Sequence, residues 1–190
     1  MILIYYPNKG VILNGIELSW GISRETVRQL LDNNHEEDNI SVDLSKYFDS
    51  NNTLSHISSR TDTYKNYHQQ QNYFCCWYDK KDSLKEIDIE YGFEIHIEKI
   101  KLNFGIYFQT AVTILKSISN DITKVSSGEY KSKKLNLVIA DNDRFTDSEN
   151  TEDKEDKEDT IVDSKSINNS ENTLSYIYLF KDSTPDLWSK

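Results

Sequence analysis

Apolar and polar residues alternate most clearly between positions 86 and 98. Ile87, Ile89, Tyr91, Phe93, Ile95 and Ile97 take one set of places, and Glu86, Asp88, Glu90, Glu94, His96 and Glu98 the other. A period of two sends successive side chains to opposite faces of a strand, so the stretch predicts a sheet with one dry and one acidic face. Gly92 interrupts it and predicts either a bend in one long strand or a hairpin turn. Just before it, residues 73–78 form a continuous apolar run of strand length, closed by the turn cluster Asp79-Lys80-Lys81-Asp82-Ser83. Residues 2–6 predict a first strand, ended by Pro7-Asn8-Lys9-Gly10. Residues 11–13 and 16–18 flank Asn14-Gly15, the signature of a two-residue hairpin turn. Ser23 then caps a helix whose Val27, Leu30 and Leu31 share one face, and Asn33-Asn34 stops it. Phe108, Ala111, Val112 and Leu115 form the buried stripe of a second helix, whose start lacks a Ser cap. Residues 135–140 and 174–180 read as closing strands. The polar stretch 35–71, with scattered Ile40, Val42, Leu44, Tyr47 and Phe48, predicts a short helix plus loops.

The pattern repeats. Ile16-Glu17-Leu18-Ser19-Trp20-Gly21-Ile22 returns as Ile100-Lys101-Leu102-Asn103-Phe104-Gly105-Ile106, and Thr26, Val27, Leu30 and Leu31 return as Thr110, Ala111, Ile114 and Leu115. Each copy reads as a short strand, a tight Gly turn and an amphipathic helix. A weaker echo pairs residues 74–78 with 176–180, which would bury Cys75 with Ile177 and set Cys76 on the opposite face with Tyr178. The period is too long for a solenoid unit and too short for two independent domains. The expectation is a single α+β domain over residues 1–190: an antiparallel sheet with helices packed on one face, in two pseudo-repeats of about 11–98 and 95–181. A chain of 190 residues buries about 70% of its unfolded surface, enough for a sizeable core.

Charge narrows the partners. The formal net charge of −10 repels a nucleic-acid backbone and an anionic membrane surface, which leaves a basic protein as the complement. The segment 141–172 is an acidic insertion. Residues 141–165 hold eleven carboxylates against four cations, a net −7, and include Glu152, Asp153, Glu155, Asp156, Glu158 and Asp159. Such composition reads as a solvated, disordered loop, or as an electrostatic lure for a cationic partner. Asp141-Asn142-Asp143 opens like a calcium loop, but the central Gly and a properly placed final Glu are missing. Two adjacent cysteines offer no disulfide framework and fit a reducing cytoplasm. The N-terminal apolar run is too short for a signal peptide, and no stretch approaches a membrane span.

Catalytic chemistry finds little support. Cys75 and Cys76 sit inside an apolar run, where cysteine packs as a small hydrophobe. His35, His56, His68 and His96 show no metal-ligand spacing, and no phosphate loop or nucleophile elbow occurs. No cofactor, no metal and no enzymatic activity are expected. The candidate residues are therefore partner-binding ones: Glu86, Asp88, Glu90 and Glu94 on the acidic face, the six carboxylates named in the insertion, and Tyr176 and Tyr178 as rigid aromatic anchors.

The succession of short hairpin, Gly-Ile turn, helix, aromatic strand, Tyr78-Asp79-Lys80-Lys81-Asp82-Ser83-Leu84 turn and Ile-alternating strand resembles the repeat unit of the β-lactamase inhibitor protein fold and of outer-membrane assembly lipoproteins. Duplication within one chain is similar to the former, although the secretion signal and disulfides of an exported inhibitor are missing. A small acidic chain rich in Asn, Lys, Ile and Tyr also resembles the cytoplasmic immunity proteins of bacterial polymorphic toxin systems. That likeness implies a stoichiometric inhibitor of a cognate, basic toxin domain, with nucleases among the candidate types. The alternative is a non-enzymatic scaffold, homo-oligomeric through a sheet edge or aromatic stripe.

Overall fold

A computed structural model describes residues 1–32, 34–43, 56–126, 128–141 and 172–181. In chain order the elements are β1 (Ile2–Tyr6), β2 (Gly10–Leu13), β3 (Ile16–Ser19), α1 (Arg24–Leu30), β4 (Glu36–Asp43), β5 (His56–Lys65), β6 (Tyr73–Tyr78), β7 (Leu84–Tyr91), β8 (Glu94–Ile97), β9 (Ile100–Asn103), α2 (Phe108–Lys116), β10 (Thr123–Ser126), β11 (Glu129–Ser132), β12 (Leu137–Asp141) and β13 (Leu174–Phe180). Strands predominate over the two helices, in an α+β arrangement of two sheets where the sequence predicts one. The larger is antiparallel, in the order β10-β11-β12-β13-β7-β6-β5-β4. The smaller runs β3-β2-β1-β8-β9 and is mixed, because β1 lies parallel to β8.

Local chemistry explains most boundaries. Asn14 and Gly15 both adopt positive φ, as a two-residue hairpin turn requires, and join β2 to β3. Ser23 in extended conformation accepts the Thr26 backbone N–H at 3.2 Å and so starts α1. At the start of α2, Tyr107 stands in the cap position and makes no side-chain cap bond. Gly92 makes neither a bend within one strand nor a hairpin. The two residues Gly92 and Phe93 carry the chain out of the large sheet at Tyr91 and into the small one at Glu94.

One continuous cluster of buried side chains joins both sheets and both helices. Phe74, Cys76, Ile87, Ile89, Ile177 and Leu179 of the large sheet meet Leu3, Leu13, Leu18, Ile95 and Leu102 of the small one. Phe74 stacks on Tyr64 and takes the edge of Phe93 at 5.6 Å. From the small sheet, the Tyr5 hydroxyl donates to the Asn136 carbonyl at 2.8 Å. Both helices lie on this same side: Arg24 of α1 is over the Tyr78 ring, and Phe108 of α2 packs near Tyr130. No helix among the described residues is long and apolar enough to cross a membrane.

Three expectations need correction. In the stretch 35–71, where the sequence predicts a short helix plus loops, the described residues form an antiparallel strand pair, β4 and β5, followed by a short 3-10 turn at Tyr67–Gln69, and residues 44–55 lie outside the described residues. The strands hide their period: residues 36–40 on the edge strand β4 are all exposed, and the buried position opposite Cys76 is Asp62. The echo between residues 74–78 and 176–180 is out of phase. Phe74, Cys76 and Tyr78 face the core, whereas Tyr176 and Tyr178 stand on the opposite face of the sheet. For the same reason the thiols exchange places: Cys76 is fully buried and Cys75 is half-buried on the outer face.

Candidate binding face

The face of the large sheet turned away from the helices carries three adjacent columns of side chains. Alternation along β6 brings Tyr73, Cys75 and Trp77 to it, along β7 Glu86, Asp88 and Glu90, and along β13 Tyr176, Tyr178 and Phe180. Register sets them side by side, with Phe180, Glu86 and Trp77 in one row and Tyr178, Asp88 and Cys75 in the next. A column of carboxylates thus runs between two columns rich in aromatic rings.

Glu86 and Asp88 are each only 7% exposed, whereas Glu90 at the end of their column is exposed. The rings on either side shield them. Trp77 donates its indole N–H to Asp88 at 2.6 Å, and Lys85 approaches Glu86 at 3.2 Å. Burial pushes the Tyr178 phenol far above its ordinary range, and the neighbouring Glu86 charge adds to it, so this hydroxyl remains a donor at any physiological pH. Partial burial also pushes the Glu90 carboxyl up. Tyr176 and Tyr178 stack at 6.4 Å, Tyr178 and Phe180 lie 5.7 Å apart, and Lys131 brings its ammonium 5.6 Å from the Phe180 ring. On the far flank, Lys65 sits 5.9 Å from Tyr73.

Other predicted residues fall elsewhere. Glu94 belongs to β8 in the small sheet, so it cannot share a strip with Glu86. It bonds His96 and accepts from Lys101 at 3.1 Å, and these two hydrogen bonds hold its carboxyl below the usual range. Glu152, Asp153, Glu155, Asp156, Glu158 and Asp159 lie outside the described residues. Trp77, Tyr73 and Phe180 join the face although the sequence reading did not select them as binding residues. Their alternation with Glu86, Asp88 and Glu90 across neighbouring strands would have found them once β6, β7 and β13 were known to be adjacent.

A second polar cluster lies on the inner side, under α1. Asp62 is fully buried and accepts from Arg24 at 2.7 Å and from Arg28 at 2.7 Å, while Arg28 also reaches Glu37 at 2.6 Å. Burial alone would push the Asp62 carboxyl up; the hydrogen bonds from Arg28 and Arg24 reverse this and hold it at about 2. His35, Glu37 and Asp62 bring potential ligand atoms within 4.8 Å of one another. Two guanidinium groups already occupy the carboxylates and repel a metal cation, so the arrangement acts as an ion-pair lock between helix and sheet. The thiols offer no activated nucleophile. Burial raises both, and Cys75 contacts Thr63 Oγ1 at 3.1 Å rather than a base.

Compared with family models, curated proteins and solved structures, the chain gives no match.

Proposed function

We propose that this protein neutralises a cognate basic protein, a bacterial toxin domain, by stoichiometric association in the cytoplasm of its producer, using the outer face of the large sheet. The observation that carries the reading is the column of carboxylates between aromatic columns on the face turned away from α1 and α2. Rigid aromatic rings supply contact area at low entropy cost, and the carboxylates select for positive charge. A net charge of −10 adds long-range attraction, most of it from the 141–172 segment.

The proposal takes the frame as duplicated, with halves of about 11–98 and 95–181. In its support, Gly21 and Gly105 share φ of +85 and +84, each just ahead of a helix. Leu84 exchanges backbone hydrogen bonds with Gly21 and Ile22, and Leu174 does the same with Gly105 and Ile106. The large sheet reads outward from its central β7–β13 pair as two four-strand sets. With Leu84 matched to Leu174, Glu86, Asp88 and Glu90 match Tyr176, Tyr178 and Phe180. One half then contributes charge to the face and the other contributes rings.

Affinity capture with the tagged full-length chain, from lysate of the producing bacterium at low and then high salt, tests the reading. Recovery of a basic partner at one-to-one stoichiometry, released by Tyr178→Ala or Trp77→Ala, is the expected result; recovery of the bait alone at both salt concentrations refutes it. A scaffold role has one observation in its favour, the exposure of Ile2 and Tyr6 on the outer face of the small sheet, and light scattering across a concentration series would reveal self-association.

A further inference from the structure

Resting on the basic-partner reading, we infer that the three-column face recognises a strand-like segment bearing cationic side chains, arginine foremost, at alternate positions. Spacing is the first argument. Side chains on one face of an extended segment recur about every 6.6–6.8 Å. The rings of Tyr176 and Tyr178 succeed one another at 6.4 Å, so cations two residues apart fall on these two rings, and Phe180, 5.7 Å further on, is 3% exposed and already lies under Lys131.

Charge is the second. Glu86 and Asp88 lie behind the rings at 7% exposure, and Glu90 stands at the end of their column. An apolar partner would strip the remaining water from these carboxylates without replacing it, whereas a cation over the rings compensates them in a medium of low dielectric. The molecule already uses this contact on itself. Lys131 holds its ammonium over Phe180 and Lys65 over Tyr73, so an incoming segment would continue across the middle of the face a pattern begun at its two flanks. Arginine suits the site better than lysine, because a planar guanidinium stacks on a ring while its edge donates toward a carboxylate.

Two synthetic peptides of identical composition decide the matter, one alternating arginine with serine and one with the arginines in a single block. Each is titrated into the full-length chain at fixed ionic strength by calorimetry. In parallel, the indole N–H of Trp77, assigned with Trp77→Phe, is followed by NMR. The alternating peptide should bind about fivefold tighter or better and should shift the Trp77 indole resonance. Tyr178→Leu, which keeps the apolar volume and loses the ring, should erase that preference while leaving the melting temperature near that of the parent; Tyr178→Ala provides the same comparison with the side chain removed. Equal affinity for the two isomers, or an unmoved Trp77 resonance, overturns the spacing inference. Equal affinity alongside capture of a basic partner leaves the functional reading standing, whereas capture of the bait alone defeats that reading whatever the peptides do.

Discussion

Asp62 is the residue on which the inner side of the large sheet most depends. It is fully buried, and both of its oxygens accept from Arg24 and Arg28. Asp62→Ala would strip the buried Arg24 guanidinium of its nearest counter-charge, leaving Glu37 and Asp82 at 3.8 Å, and we expect a loss of about 3 kcal/mol in urea unfolding. Acid should unpick the same site. A carboxyl held at about 2 when folded, against an ordinary 3.8, contributes stability above the unfolded value and loses it as pH falls through the folded one. Asp121 behaves alike: burial pushes it up, but Ser119, Ser132 and the Lys134 backbone N–H hold it at about 2. Melting temperatures should therefore fall between about pH 4 and pH 2, Asp62 accounting for about 2 kcal/mol, and Asp62→Asn should flatten that part of the profile. None of this partnership was legible in the sequence, because a buried charged pair breaks the apolar period that marks a core strand. Glu86 and Asp88 show the converse: their alternation was plain, and only the packing of Trp77 and Tyr178 beside them shows that the acidic column is shielded.

Short-range signals named the elements well. The Asn14-Gly15 hairpin, the Ser23 cap and the uncapped second helix all stand where turn and capping chemistry puts them. What the pattern could not supply was strand adjacency, since β1 pairs with β8 and β7 with β13 across long separations in the chain. The edge pairs β4–β5 and β10–β11 were missed for a related reason, being too exposed or too polar to show a dry face. Gly92 is the most demanding single joint between elements. At φ +86, a Cβ there would collide with the Gln71 carbonyl and with Asn72, and its own carbonyl accepts the Met1 ammonium at 2.9 Å. Gly92→Ala should cost about 3 kcal/mol or more, whereas Gly15→Ala, with open space around it, should cost only the about 1 kcal/mol of a positive φ; comparative thermal melts would show the gap. Tyr107 presents an opportunity of the opposite sign. It is 54% exposed and already in a cap-like extended conformation, so Tyr107→Ser should supply the missing cap and raise stability by about 0.5–1 kcal/mol.

For the molecule as a whole, negative charge divides into two roles. In the proposed complex, carboxylates shielded within the large sheet would act at contact, while the 141–172 segment would attract the partner at a distance. Reversing Glu155, Asp156, Glu158 and Asp159 to Lys should slow association with a basic partner about tenfold at low salt and change dissociation little, as stopped-flow or surface-binding kinetics would register. An unchanged association rate would remove the segment from the mechanism.

The position of β13 has a consequence for how such a molecule is made. Strand β13 is synthesised long after β7 and yet is placed at the middle of the large sheet, between β7 and β12. At about 5–20 residues per second, β7 waits several seconds for it after its own synthesis, with one hydrogen-bonding edge open. Until residue 180 arrives, the nascent chain holds two unfinished half-sheets, each offering a bare edge to any neighbour. Strand β13 is a clasp, and a chain interrupted before it would leave two adhesive edges where the proposed binding face should be.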